Sequence, residues 1–193
     1  MNHPKDDIPI LSFNTAKAWE AWLKKNGATA QALWLRFYKK GSQVQSINYS
    51  EALDVALCYG WIDGLVNKFD EVSYLQRFTP RRPRSIWSKK NIEHVERLIR
   101  EGKMNPAGLQ QIEAAKADGR WAAAYDSSAN MVIPADFLQA LSRNPKAQKF
   151  FKTLNKTNVY AIAWRLQTAK KPETRERRMK QILEMLEKGE KLH

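Results

Sequence analysis

The chain has 193 residues, 43% of them hydrophobic, with seven tryptophans and a formal net charge of +13. That length and apolar fraction suit one globular domain or two small ones and exclude a disordered chain. No run approaches the roughly eighteen apolar residues of a membrane span, and Cys58 is the only cysteine, so no intrachain disulfide can form. The first residues, MNHPKDDIPILSFN, hold no apolar signal core, so a cytoplasmic protein is expected.

In chain order, Asn14 or Thr15 can cap a helix that ends at Gly27, with Ala18, Trp19, Trp22 and Leu23 on one face. Residues 33–39 alternate, Leu33, Leu35 and Phe37 against Trp34, Arg36 and Tyr38, which predicts a strand. Ser50 is expected to cap a short apolar helix stopped by Gly60, with Glu51 and Asp54 favouring its dipole. Residues 61–67 and 73–79 read as a β-hairpin. If Asn67 pairs with Ser73, Asp63 falls opposite Arg77 and can form a salt bridge with it. Ser88 precedes a periodic helix over 89–101, and Asn105-Pro106 opens another that runs to Gly119. Residues 121–130 read as a linker. Helices follow over 134–141, 145–154, 157–170 and from Pro172 onward. The expected fold is α+β: a small antiparallel sheet of about three strands with helices over 1–125, then a basic all-helical module over 126–193.

Between Arg77 and Asn91 the chain places six cations and no acid. Free N–H groups at a helix start, planar arginine forks and nearby aromatic faces together suit an anion. The candidate phosphate-type site comprises Arg77, Thr79, Arg81, Arg82, Arg84, Ser85, Ser88, Lys89 and Asn91, with Trp61 and Trp87 as stacking faces or pocket walls. The plainer alternative is that both tryptophans are core and the arginines are solvated. If the chain is an enzyme on a phosphorylated or anionic substrate, Asp63 is the acid or base to test, with Arg77 beside it, because an acid in so apolar a run can have a raised pKa. His3, His94 and His193 lack metal-ligand spacing, and no nucleotide or nucleophile motif occurs, so no metal, no cofactor and no catalytic residue are expected. Cys58 reads as a small buried residue.

Residues 143–193 hold fourteen Lys/Arg against five Glu, a net of +9. Such a segment can bind nucleic acid nonspecifically through residues 165–180, or simply face water.

The stretches ALCYGWIDG, RFTPRRPRSIWSKKN, GKMNPAG and AKADGRWAAAYD, with the basic TAKKPETRERRMKQILEMLEKG, resemble the YdeI/OmpD-associated (OmdA) family of bacteriocin-protection-like proteins. The resemblance implies a stress-response role in tolerance of bacteriocins or cationic antimicrobial peptides, and a link to an outer-membrane porin. It supplies no catalytic residues.

Overall fold

A computed structural model describes residue 3, residues 7–127 and residues 130–192. The chain divides into two compact units, Met1–Trp87 with Asn91–Ala123, and Ser88–Lys90 with Ala124–His193. The division at Ala123 falls inside the stretch expected as a linker, of which residues 128 and 129 lie outside the described residues.

The first unit is built on a mixed four-stranded sheet in the order β1-β2-β4-β3. β1 (Ile10–Leu11) runs parallel to β2 (Leu33–Tyr38), which pairs antiparallel with β4 (Ser73–Pro80); β4 pairs antiparallel with β3 (Trp61–Lys68). The sheet is therefore neither three-stranded nor wholly antiparallel. A two-residue strand has no alternation to read, so β1 escapes a periodicity test.

One sheet face carries Leu33, Leu35, Phe37 and Phe78, all buried under α1 (Ala16–Asn26) and α2 (Tyr49–Cys58). Trp19 and Leu23 of α1 and Ala52 and Ala56 of α2 complete that core. Buried indoles need partners for their N–H groups: Trp19 donates to the carbonyl of Ala52 at 3.1 Å, and Trp61 to that of Gly27 at 3.0 Å. The other face holds Trp34 and Leu75, covered by Ile10 with Ile8 alongside. His3 stacks on Trp34, ring centroids 4.7 Å apart.

Thr15 caps α1, as its sequence position suggests, accepting from the Ala18 N–H at 3.2 Å. The cap of α2 is Asn48 rather than Ser50, in a reciprocal capping box with Glu51. Two further helices complete the unit, α3 (Lys89–Arg100), whose first two residues belong to the second unit, and α4 (Pro106–Ala117), capped by Asn105.

The second unit packs α5 (Ala135–Ser142), α6 (Pro145–Phe151), α7 (Lys156–Gln167) and α8 (Pro172–Glu187) around Phe137, Leu141, Ile162, Leu166, Ile182 and Leu186. Asp136 takes both guanidinium nitrogens of Arg175, tying α5 to α8. Asp126 accepts from Lys89 and from Gln167, each at 2.7 Å. The hydrogen bond from Lys89, seconded by Gln167, holds its carboxyl below the usual carboxylate range. A depressed folded pKa adds stability above the unfolded value, about 4, and that stability is lost as pH falls through the folded value. Asp126→Asn should therefore lower the urea midpoint at pH 7 and lose less stability than the parent between pH 5 and pH 2. Parallel urea melts at the three pH values check this.

Candidate anion-binding site

Beyond Pro80 the chain leaves the sheet in a loop whose shape is set by its own polar groups. The Arg81 N–H donates to the Gly60 carbonyl at 2.9 Å. The Arg82 N–H donates to the Ser85 hydroxyl, and the Ser85 N–H returns to the Arg82 carbonyl, both at 2.9 Å. Arg81 is 5% exposed; its guanidinium carbon lies 3.5 Å from the centroid of the Trp87 ring, and Nη1 donates to the Ile86 carbonyl. Trp87 packs in turn on Trp121, centroids 5.1 Å apart. Arg120, also 5% exposed, binds Asp118 through Nε at 2.6 Å and donates from Nη1 to the Ser85 carbonyl at 2.9 Å. Two buried arginines and two tryptophans thus hold the loop from inside.

On the outer side lies a cleft of about 790 Å³. Arg77, Thr79, Arg81 and Arg82 line one wall, with Pro80 and Pro83; Ile8, Pro9 and residues 30–32 line the other. Three arginines therefore line one concave surface, and none of its described lining residues carries a carboxylate, imidazole or thiol. Planar forks on rigid strand and loop backbone suit bidentate contact with a phosphate or carboxylate. The apolar wall suits a ligand that carries more than its charge.

Four of the predicted residues come together in this cleft, and the others do not. Arg84 is exposed and outside its lining, while Ser85 is engaged in the turn. Ser88 bridges to Tyr125, and the Lys89 N–H donates to the Tyr125 carbonyl at 2.9 Å; both residues belong to the second unit. The first amide of α3 is thereby taken by protein. Asn91 sits half-buried in the first turn of α3. Trp61 is 1% and Trp87 2% exposed, so neither offers a free face.

The expected Asp63–Arg77 pairing does not form. A register shift between Asp63 and Val66 sets Asn67 opposite Leu75 and Asp63 opposite Phe78. Successive residues of a strand point to opposite faces, so Asp63 shares the face of Phe78 while Arg77 shares that of Trp34, its partner on β2. The carboxylate of Asp63 accepts instead from the Tyr49 hydroxyl at 2.8 Å.

A second charged cluster joins α2 to α3. Asp54, placed by sequence as a dipole-stabilising acid, meets His94 Nδ1 at 2.7 Å and Arg97 Nη2 at 2.6 Å. Arg97 continues to Glu101, and Glu101 to Lys103 at 2.8 Å. His94 thus meets the Asp54 carboxylate between helices. Cys58 is buried at the end of α2, and burial, with the Asp54 and Glu20 carboxylates, pushes its thiol up to about 11. Since the thiolate is the nucleophile, iodoacetamide at pH 8 should leave Cys58 unmodified in the native protein and label it fully in 6 M guanidinium, as read by mass spectrometry. Among the described residues no group of three or more His, Cys, Asp or Glu could hold a metal ion. No helix among them is long and apolar enough to cross a membrane.

Sequence reasoning missed Arg120 and Trp121, and the Ile8-Pro9 wall. Arg120-Trp121 is visible in the sequence as a cation beside an aromatic, and the Trp121 indole packs on that of Trp87. Nothing local says that the two meet.

A family model described as Domain of unknown function (DUF8412) matches residues 11–111, just over half of the chain. A second, described as Bacteriocin-protection, YdeI or OmpD-Associated, matches residues 130–189. The OmdA resemblance thus holds for the C-terminal part, while the motifs around Gly60, Arg81 and Gly108 fall in the other segment. Curated proteins and solved structures give no match.

Proposed function

We propose that this chain, which belongs to the DUF8412 family and carries an OmdA segment behind that domain, is an anion-binding protein serving bacteriocin or cationic-peptide tolerance from the cytoplasm. The observation that carries this reading is the cleft whose lining brings Arg77, Arg81 and Arg82 together beside the Thr79 hydroxyl and the apolar Ile8 and Pro9. A phosphate-type or carboxylate group binds on Arg77 and Arg82, Thr79 supplies a hydroxyl, and the apolar wall at Ile8 and Pro9 receives the remainder of a small ligand. Binding rather than chemistry is favoured because none of the described lining residues could take or give a proton near neutral pH. A lone buried thiol suits a reducing compartment.

Thermal shifts of the full chain with inorganic phosphate, sugar phosphates, nucleotides and benzoate, at 50 and 300 mM salt, test it. A specific ligand raises the melting temperature saturably and still does so at the higher salt. The Arg77→Ala/Arg82→Ala pair should abolish that shift. The reading falls if no small anion gives a saturable shift, or if the double variant responds like the parent.

A further inference from the structure

The second unit carries a groove of a different character from the arginine cleft. Tyr160 and Trp164, four residues apart on α7 and both half-buried, share one side of the helix. With Arg165 and Leu192 they line a largely apolar pocket of about 340 Å³. The ring of Tyr125 meets that of Trp164 edge-on, at 6.1 Å and 89°, which braces the indole. A second pocket of about 240 Å³ shares Arg165 and Leu192 with the first and adds Arg178 and Lys188, with Glu184 as its one acid. Arg178 is held in place by donating from Nη1 to the Arg165 carbonyl at 2.7 Å. An aromatic compartment and a cationic one are therefore joined through Arg165 and Leu192.

We infer that this groove binds single-stranded nucleic acid, with a base stacked in the Tyr160–Trp164 compartment and neighbouring phosphates on Arg165, Arg178 and Lys188. A nucleotide is the unit that presents a planar π face and an anion at adjoining positions, and every base has such a face. The surrounding charge agrees, since residues 143–193 carry fourteen Lys/Arg against five Glu. A duplex keeps its bases stacked on one another and leaves the aromatic compartment empty. An acidic peptide would answer the cations but not the rings. A bilayer would need an outward apolar helix face, whereas Ile182 and Leu186 of α8 are buried in the core.

Fluorescence anisotropy of the full chain with a labelled twelve-nucleotide oligothymidine, a twelve-base-pair duplex, a labelled polyglutamate peptide and anionic phosphatidylglycerol vesicles tests this across a salt series. The single strand should bind at least tenfold more tightly than the duplex or the peptide at 150 mM salt, with vesicles failing to compete. Trp164→Ala should weaken it about tenfold without changing the salt slope. Arg165→Ala should weaken it and flatten that slope by about one. Should Trp164→Ala fail to fold by circular dichroism, Tyr160→Leu and Arg165→Ala carry the same comparison. Equal affinity for duplex, peptide or vesicles would overturn the inference. So would aromatic variants that bind like the parent while Arg165→Ala and the off-groove Arg177→Ala weaken binding alike. Arg82→Ala, in the cleft of the other unit, should leave oligonucleotide binding unchanged, so this inference and the small-anion reading fail separately.

Discussion

Gly108→Ala should lower the melting temperature by roughly 4–8 °C, against the usual direction for a glycine inside a helix. In an open helix the change would stabilise by about 1 kcal/mol. Gly108 lies in the first turn of α4, where that helix meets the end of α2. A methyl group there would stand 2.3 Å from the carbonyl oxygen of Cys58 and 2.8 Å from that of Leu57. Both are backbone atoms, and the Cys58 carbonyl already accepts from the Asn105 N–H at 3.2 Å. Neither can move without dragging a helix end. The second close approach, at Gly60, is strict in the same sense: its φ of +73° disfavours any side chain, and a Cβ would meet the Ala107 carbonyl at 2.9 Å. Overpacking against two fixed backbone oxygens takes the upper end of about 1–3 kcal/mol, and with the helix gain of about 1 kcal/mol set against it a net loss of about 2 kcal/mol is expected. At roughly 2–4 °C per kcal/mol, a thermal melt followed by circular dichroism reads it directly. A melting temperature at or above the parent's would mean that α4 can lift off α2 freely.

Those two glycines show where the sequence was legible and where it was not. Gly60 as a helix stop, and Asn105-Pro106 as a helix start, could be read locally because each satisfies or terminates backbone hydrogen bonding within a few residues. That Gly60 packs on Ala107, and Gly108 on Leu57 and Cys58, is tertiary information, and no local rule contains it. The same division runs through the sheet. β2 announced itself by alternation, but the register of β3 depended on an irregularity beside Gly64, which moved Asp63 to the face opposite Arg77. Asn48-x-x-Glu51 was a readable capping box, and Ser50, two residues later, was the less complete signal. For the candidate site, the density of arginine was legible, and four of its residues do line one cleft. Which arginines point outward was not, because that depends on Trp87, Trp121 and Arg120 closing the loop from within.

Adjacent arginines in that loop should accordingly fail in opposite ways. Arg81→Ala should cost about 3 kcal/mol of stability, whereas Arg82→Ala should change stability by no more than about 0.5 kcal/mol and weaken the small anion at least tenfold. Arg81 is almost wholly buried, and its guanidinium is stacked on Trp87 while donating to Ile86. Removing it forfeits a desolvated cation–π contact worth about 2 kcal/mol and a charged hydrogen bond worth about 1.5–3 kcal/mol, and these overlap rather than add. Arg82 is exposed, and only its backbone takes part in the turn, through Ser85. Its side chain can be lost without disturbing the loop. Arg81→Lys sharpens the comparison, because it keeps the charge and loses the planar fork that stacks on indole. It should recover less than half of the lost stability. Urea denaturation with calorimetric titration of the tightest anion from the thermal screen measures both effects on each variant. If Arg81→Ala melted with the parent, Arg81 would be a solvated cation and the buried clamp on Trp87 would not hold the loop. If Arg82→Ala bound the anion as the parent does, the cleft would owe its affinity to Arg77 and Arg81 alone. The loop uses one arginine to hold its own shape so that the next can reach a ligand, and only the pair of measurements separates those tasks.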